Sequence, residues 1–357
     1  MLKYPYHQSL RLRNFTAFQD ASFEFVSGIN ALVGTNGTGK THLLKVLYSY
    51  QLPMFRNSQL ISQSLEGVLQ TRDLKELVRS VEGRASESLV SGKWNNSEWT
   101  YQISPAIQVL YSSEKPSFAV EFSKDEILGY AFVPKSARLD MSRPIFIPAI
   151  DMMGHTRRFL STYDEYQIDF DQTHRDIVAL LLSPELRIQV AENNTLSMLT
   201  SLLGGEVEEE NERFYLRTTQ GRHPMPLVAE GLRKIATLYQ LVKNGYLRPG
   251  DTLFWDEPEV NLNPTLMDEV VGILLALARS GVQIFLATHS YVVLQELDLQ
   301  SQPQDSIRYF ALAGTTNGSE VRSASTLAEL APNAISDHFD SLYDRQLDRS
   351  IGKRRVK

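Results

Sequence analysis

The sequence predicts an α/β fold with a mostly parallel core sheet, an antiparallel β region and a helical subdomain, and three observations carry that expectation. A glycine-rich run, Gly34-Thr35-Asn36-Gly37-Thr38-Gly39-Lys40-Thr41, follows the apolar segment Ile29 to Val33 and opens a helical stripe through Leu43, Leu44 and Leu47. Two later apolar segments, Thr252 to Trp255 and Ile284 to Thr288, end at Asp256-Glu257 and at His289. Amphipathic helical patterns separate these segments. Short, continuously apolar strands alternating with helices are the mark of a parallel sheet covered on both faces, with its polar chemistry at the strand C-terminal ends.

Before the glycine run, two segments alternate apolar and polar positions, with Leu10 and Leu12 inward in the first and Phe23 and Phe25 inward in the second. They read as an antiparallel pair. Residues 50–140 read as a β-rich insertion, with a helical stretch from Leu74 to Val81 and β-like runs at Trp99 to Ile103, Ile107 to Tyr111 and Phe118 to Phe122. A buried strand, Pro144 to Pro148, returns the chain to the core. Two helical patterns over 165–203 suggest a helical subdomain at 161–204, leaving 1–160 and 205–357 for the core. A hairpin is expected near Phe214 to Leu216. A helix then runs from Glu230 to Asn244 with Gly245 placed to end it, and Pro264 begins another through Val271, Leu274 and Leu277. No long heptad repeat occurs, which excludes an extended coiled-coil arm.

The bulk numbers exclude several functions. The net charge of −6 over 357 residues gives no overall attraction to nucleic acid or to an anionic membrane, so DNA contact would need a local basic patch. Candidates for one are Arg11, Arg13, Arg157 and Arg158, although such residues more often make solvated ion pairs, and the tail Lys353 to Lys357, although a short basic end is usually only disordered. The absence of cysteine removes disulfides, thiolate zinc sites and thiol nucleophiles. The N-terminus lacks the plan of a signal peptide, and no apolar run approaches the ~18 residues of a membrane span. The expectation is a cytoplasmic protein without membrane contact.

The glycine run supplies chemistry as well as a turn. Glycines let the backbone curl until its N–H groups face phosphates, and the following helix N-terminus adds partial positive charge. This is a P-loop: Gly34, Asn36, Gly37, Gly39, Lys40, Thr41 and the adjoining His42 are expected to hold ATP, with Lys40 bridging the β- and γ-phosphates and Thr41 on Mg²⁺. Asp256 is expected to hold the Mg²⁺, Glu257 to accept a proton from the attacking water, and His289 to sense the γ-phosphate. Lys40, Glu257 and His289 form the catalytic set. The acids Asp337, Asp340 and Asp344 share a possible helix face without a metal-ligand pattern, and read as surface.

Leu10-Arg11-Leu12-Arg13-Asn14-Phe15, the P-loop, Trp255-Asp256-Glu257-Pro258-Glu259-Val260-Asn261-Leu262-Asn263-Pro264 and Thr288-His289-Ser290 together resemble ATPases of the ABC class. Within that class they resemble the soluble branch of RecF, SMC and the overcoming-lysogenization-defect proteins, and most of all the compact ATP-binding proteins of bacterial anti-phage defence loci. The resemblance implies an ABC-type P-loop NTPase fold and a homodimer or higher oligomer that sandwiches ATP between protomers. It places Asn14 and Phe15 at a turn near the nucleotide and Asn261, Leu262 and Asn263 across the dimer interface. Ala229-Glu230-Gly231 matches the signature element, with Gly231 facing the opposite protomer's γ-phosphate and Ala229 where the family usually has serine. Asp151 is the nearest polar candidate for the family's glutamine-bearing loop. The implied activity is an ATP-driven switch that controls a separate effector, a nuclease or toxin. The alternatives are a RecF-like DNA-binding repair ATPase and a non-hydrolysing ATP-dependent scaffold.

Overall fold

The computed structural model describes residues 6–56, 61–71, 74–81, 84–85, 88–94, 97–103, 108–112, 142–166, 168–185, 194–316, 318–330 and 334–350. Ile107, the run Phe118 to Phe122 and the basic tail lie outside these residues. The strands are β1 (His7–Phe15), β2 (Phe18–Glu24), β3 (Ile29–Gly34), β4 (Ser80–Val81), β5 (Arg84–Ala85), β6 (Ser88–Trp94), β7 (Ser97–Ile103), β8 (Gln108–Ser112), β9 (Pro144–Ile147), β10 (Gly205–Glu210), β11 (Arg213–Thr218), β12 (Gly221–Pro224), β13 (Thr252–Asp256), β14 (Gln283–Thr288), β15 (Ile307–Thr315) and β16 (Gly318–Ala324). The α-helices are α1 (Lys40–Arg56), α2 (Ile61–Leu69), α3 (Phe159–Glu165), α4 (Gln172–Leu181), α5 (Asn194–Leu203), α6 (Glu230–Lys243), α7 (Met267–Ser280), α8 (Tyr291–Gln300) and α9 (Ala334–Ser350).

The central sheet has the order β16-β15-β3-β14-β13-β9 and is parallel except where β16 turns back on β15. Every residue of β3, β9, β13 and β14 is buried, because both faces are covered. The period-2 alternation of a strand divides these residues between two cores. Phe146, Phe254 and Phe285 are paired across β9, β13 and β14 and stack on one face, with centroid separations of 6.3 and 5.2 Å. That face packs against α1, α2 and the β1–β2 pair. Their neighbours Ile147, Trp255 and Leu286 point the other way, against α5, α6, α7 and α8.

The β1–β2 pair belongs to an antiparallel sheet of order β2-β1-β6-β7-β8, so the chain after α2 extends the N-terminal hairpin. Leu10, Leu12, Phe23 and Phe25 are buried in it as the alternation requires. The helix expected over Leu74 to Val81 is replaced by a single 3-10 turn, Leu74–Leu77, and then by β4. The cause is a pairing distant in the chain: Thr16 N–H donates to Leu77 O and Arg79 N–H to Asn14 O, so this backbone is recruited by the β1 tip instead of bonding to itself. The hairpin expected near Phe214 is a three-stranded meander, β10-β11-β12. α4 and α5 place Ile177, Val178, Leu181, Leu199 and Leu203 in the same core as β9, α6 and α7. Gly245, at φ +76°, ends α6 as expected: its N–H and that of Tyr246 return to Val242 O and Leu241 O. No helix among the described residues is long and apolar enough to cross a membrane.

A buried polar belt ties the first strand to the core at its far end. His7 N–H donates to Gln283 Oε1 at 2.8 Å, its ring lies 3.0 Å from Gln51 Oε1, and Gln51 Nε2 reaches Ser142 and Thr252. Burial lowers the His7 imidazole from 6.5 to about 3, so it folds neutral. Between those values the unfolded chain binds the proton and the native chain does not, so stability falls as pH drops below 6.5, by about 2 kcal/mol at pH 5. Thermal melts between pH 7 and 5 should show this loss, and His7→Gln should flatten it even though its neutral-pH stability is lower. An unchanged acid slope in His7→Gln would contradict the assignment.

Candidate functional site: a P-loop at the C-terminal sheet edge

The parallel register brings the predicted groups to one edge. Asp256 lies beside Ala287, and Thr288 beside Val33, so β13, β14 and β3 end level with one another. β3 runs directly into the P-loop, and α1 starts at Lys40. Gly37 and Gly39 have φ of +78° and +89°, the left-handed region that glycine adopts without steric cost. At Gly39 a side chain is also blocked by space, since an added Cβ would lie 2.7 Å from the Phe18 ring. The β1–β2 tip therefore abuts the loop. Asn14 and Thr16 in that tip also have positive φ. The Phe15 ring, expected at the nucleotide, is fully buried in the core beneath the turn and supports it from below.

Lys40 is 5% exposed and donates to Gly34 O at 2.9 Å and Thr35 O at 3.0 Å, so the loop closes around its own ammonium. Burial lowers this lysine to about 8, against the pull of Asp256, Glu257 and Glu259. Thr35, Asn36, Gly37 and His42 are exposed around it. Thr41 Oγ1 lies 3.0 and 3.1 Å from the two oxygens of Asp256. Asp256 is buried, which pushes its carboxyl up to about 6, and the nearby Glu257 charge adds to that rise while Thr41, Lys45 and Lys40 oppose it. Among the described residues no three His, Asp or Glu side chains are grouped to hold a metal. One hydroxyl and one carboxylate nevertheless suit Mg²⁺, a hard cation that keeps several waters and draws other ligands from substrate phosphates.

Glu257 and His289 meet across the ends of β13 and β14, with Nε2 to Oε1 at 3.3 Å. Glu257 has φ +48°, and it precedes Pro258, which disfavours helical backbone at the preceding residue. Left-handed backbone costs a non-glycine residue of order 1–2 kcal/mol, so the conformation must be held. Its N–H donates to Ala287 O at 2.9 Å, and its carbonyl accepts from Val260 N–H and from Lys234 Nζ. Glu259 holds the opposite side: its Oε1 accepts from His289 N–H at 2.6 Å and from Thr288 Oγ1 at 2.9 Å.

The signature element begins α6. Gly231 is buried against the acidic loop, where an added Cβ would lie 2.5 Å from Asn261 O. Asn261 is exposed with φ +59°. Ala229 is the N-cap and supplies no side-chain hydrogen bond to the helix end. Asp151, proposed for the missing loop, turns inward: its carboxylate is 2.8 Å from Arg233 Nε and accepts from the N–H groups of Met153 and Gly154. Arg11 pairs with Asp20 at 2.8 Å on the surface, the solvated arrangement.

Sequence reasoning gave no role to Lys234, Glu259 or Lys45. Lys45 reaches Asp171 at 2.6 Å and Tyr48 OH reaches Asp176 at 2.6 Å, binding the P-loop helix to α4. Lys234 carried a legible signal: it shares the i, i+4, i+7 stripe of Leu238 and Leu241, a lysine on the buried face of an amphipathic helix.

Two titrations should govern ligand affinity. ATP bound here would require the Lys40 cation, which the ligand-free site loses above pH 8, and Mg²⁺ would require the Asp256 anion, which it loses below pH 6. Equilibrium binding of ATP with Mg²⁺ should therefore be tightest between pH 6 and 8. With EDTA the part of the acid arm due to Asp256 should be lost and the alkaline arm persist; an alkaline arm that survives in Lys40→Arg, whose guanidinium stays charged, would contradict the assignment.

Comparison with known proteins bears on the fold and the family. Residues 135–295 match the family described as "AAA domain, putative AbiEii toxin, Type IV TA system", and residues 9–47 match a family described as "AAA domain". The DNA replication and repair protein RecF of Francisella tularensis subsp. mediasiatica is 45% identical over 56 residues, 15% of this chain and 16% of that one, and RecF of subsp. novicida matches equally. The shared segment thus spans about a sixth of these curated relatives. An SMC head bound to the C-winged helix domain of ScpA superposes with TM-score 0.59 at 12% identity, covering 91% of this chain and 99% of that one. The Smc head with an extended coiled coil from Pyrococcus furiosus, bound to the C-terminal domain of ScpA, gives 0.56 at 11%, covering 96% and 100%. At these identities the likeness establishes the fold alone, that of an SMC head domain. Fold, family matches and the RecF segment together support an ABC-class ATPase of the RecF/SMC branch.

Proposed function

We propose that the chain is an ATP-hydrolysing switch that dimerises around ATP and Mg²⁺ and controls a separate effector in defence against phage. The observation that carries the reading is the convergence of Lys40, the Thr41–Asp256 contact and the Glu257–His289 pair on one sheet edge. Lys40 would leave the loop carbonyls for the β- and γ-phosphates, while Thr41 and Asp256 would hold the cation. When bound, Mg²⁺ neutralises charge developing on the phosphoryl oxygens. Glu257 would take the proton of the attacking water, and His289, fixed through its main chain by Glu259, would face the γ-phosphate.

In the dimer, the α6 N-terminus of one protomer would meet the γ-phosphate of the other, with Asn261 crossing between them. Ala229 brings no hydroxyl, so the helix N–H groups carry that contact. The Lys45–Asp171 and Tyr48–Asp176 bonds would carry motion of the P-loop helix into the helical subdomain at 161–204. Support for an effector is the toxin-system description of the family matched over 135–295.

A RecF-like DNA-binding role is the second reading, favoured by the 45% identical segment. It ranks lower because Arg11 is paired with Asp20 and the net charge is −6. It requires salt-sensitive duplex binding that strengthens with ATP. The decisive assay is phosphate release by the purified chain. Glu257→Gln should lower Mg²⁺-dependent turnover by about 100-fold or more while ATP still binds, and Lys40→Ala should abolish both. Undiminished turnover in Glu257→Gln would refute the catalytic assignment, and no turnover in the unmodified chain would favour the non-hydrolysing scaffold.

A further inference from the structure

Lys234 stands out because a cation that is 2% exposed normally requires a reason. Among the described residues its hydrogen bond goes to a main-chain oxygen: Nζ donates to Glu257 O at 2.9 Å. Desolvation lowers the pKa of this ammonium, and the attraction of four acids, Glu259, Glu230, Glu257 and Asp151, offsets that only in part. The recipient peptide is the strained one. Glu257 has φ +48° ahead of Pro258, and a glycine would relieve that strain but would remove the carboxylate. The Val260 N–H bond to the same carbonyl is local to the turn, and the Ala287 bond fixes only the N–H side. Lys234 is the group that reaches this peptide from a different helix.

That helix is α6, whose first turn carries the signature element. Gly231 sits one turn before Lys234 and packs on Asn261 and Leu262 of the same acidic loop. Arg233, beside Lys234, holds Asp151 after β9. α6 therefore grips the loop after β13 at two points, through Gly231 and through Lys234.

We propose that Lys234 is a positioning residue for Glu257, coupling the general base to the helix that engages the nucleotide of the opposite protomer. It acts through the Glu257 peptide, to whose carbonyl its ammonium donates. The inference rests on the reading of Glu257 as the base.

The test compares the unmodified chain, Lys234→Met, Lys234→Arg, Glu257→Gln and the Lys234→Met, Glu257→Gln double variant. Steady-state turnover and equilibrium ATP binding are measured for each, with thermal melts as a check on folding. Lys234→Met should lower kcat by about 10-fold or more, the scale expected when a reacting group is misplaced by a fraction of a bond length to an ångström. KM and ATP affinity should stay within about threefold, since no ground-state contact is removed. Lys234→Arg, which keeps a donor, should recover part of the loss. In the Glu257→Gln background, Lys234→Met should cost nothing further, because the two residues act as one unit. An unchanged kcat in Lys234→Met, or losses that multiply in the double variant, would overturn the inference while leaving Glu257 in place. If Lys234→Met fails to fold, Lys234→Gln is judged by the same criteria. Undiminished turnover in Glu257→Gln would instead refute the underlying reading and this inference with it.

Discussion

The parallel register of β3, β14 and β13 is the constraint on which the site depends. Once Asp256 lies beside Ala287 and Thr288 beside Val33, the P-loop, the acid pair and His289 can only emerge at one edge. The register is itself set by burial. Phe254 stacks between Phe146 and Phe285 on one face while Trp255 and Leu286 fill the other, and a slip of one residue would exchange the two faces. The cores on either side of the sheet thus fix the geometry of the candidate site as well as stability.

At that edge the molecule stores unfavourable arrangements. Lys40 and Lys234 are buried cations, Asp256 is a buried carboxylate, and Glu257 has left-handed backbone. Each is tolerated because a neighbour compensates: loop carbonyls for Lys40, Thr41 for Asp256, and Ala287 with Lys234 for Glu257. Such compensation explains how a ligand could be sensed. A phosphate that drew Lys40 away from Gly34 and Thr35 would replace one set of partners by another without exposing an uncompensated charge.

Much of this was legible in the sequence because the signals were local. Glycine spacing placed Gly34 to Gly39 and Lys40, and short apolar runs ending in Asp256, Glu257 and His289 placed the strands and their edge. Gly245 ended α6 through the expected backbone bonds. What was not legible depends on contacts distant in the chain. The stretch from Leu74 to Val81 has a helical pattern, but its N–H and C=O groups are taken by the β1 tip some 60 residues earlier. The pairing of β6 with β1, and the inward turn of Asp151 toward Arg233, likewise have no sequence-local sign. Glu259 lay in plain view inside the acidic motif, yet its grip on the His289 N–H becomes apparent only when β13 and β14 are side by side.

The central claim is that this edge is half of a composite site, completed by the α6 N-terminus and Asn261 of a second copy. The most direct measurement is the solution mass of the Glu257→Gln chain by sedimentation velocity, with and without ATP and Mg²⁺. The account predicts that its mass doubles only when nucleotide and metal are both present, and that adding Ala229→Glu, which puts a like charge at the exposed N-cap meant to face the partner's γ-phosphate, prevents the doubling. A mass that does not respond to ATP and Mg²⁺, in protein shown to bind the nucleotide, would contradict it.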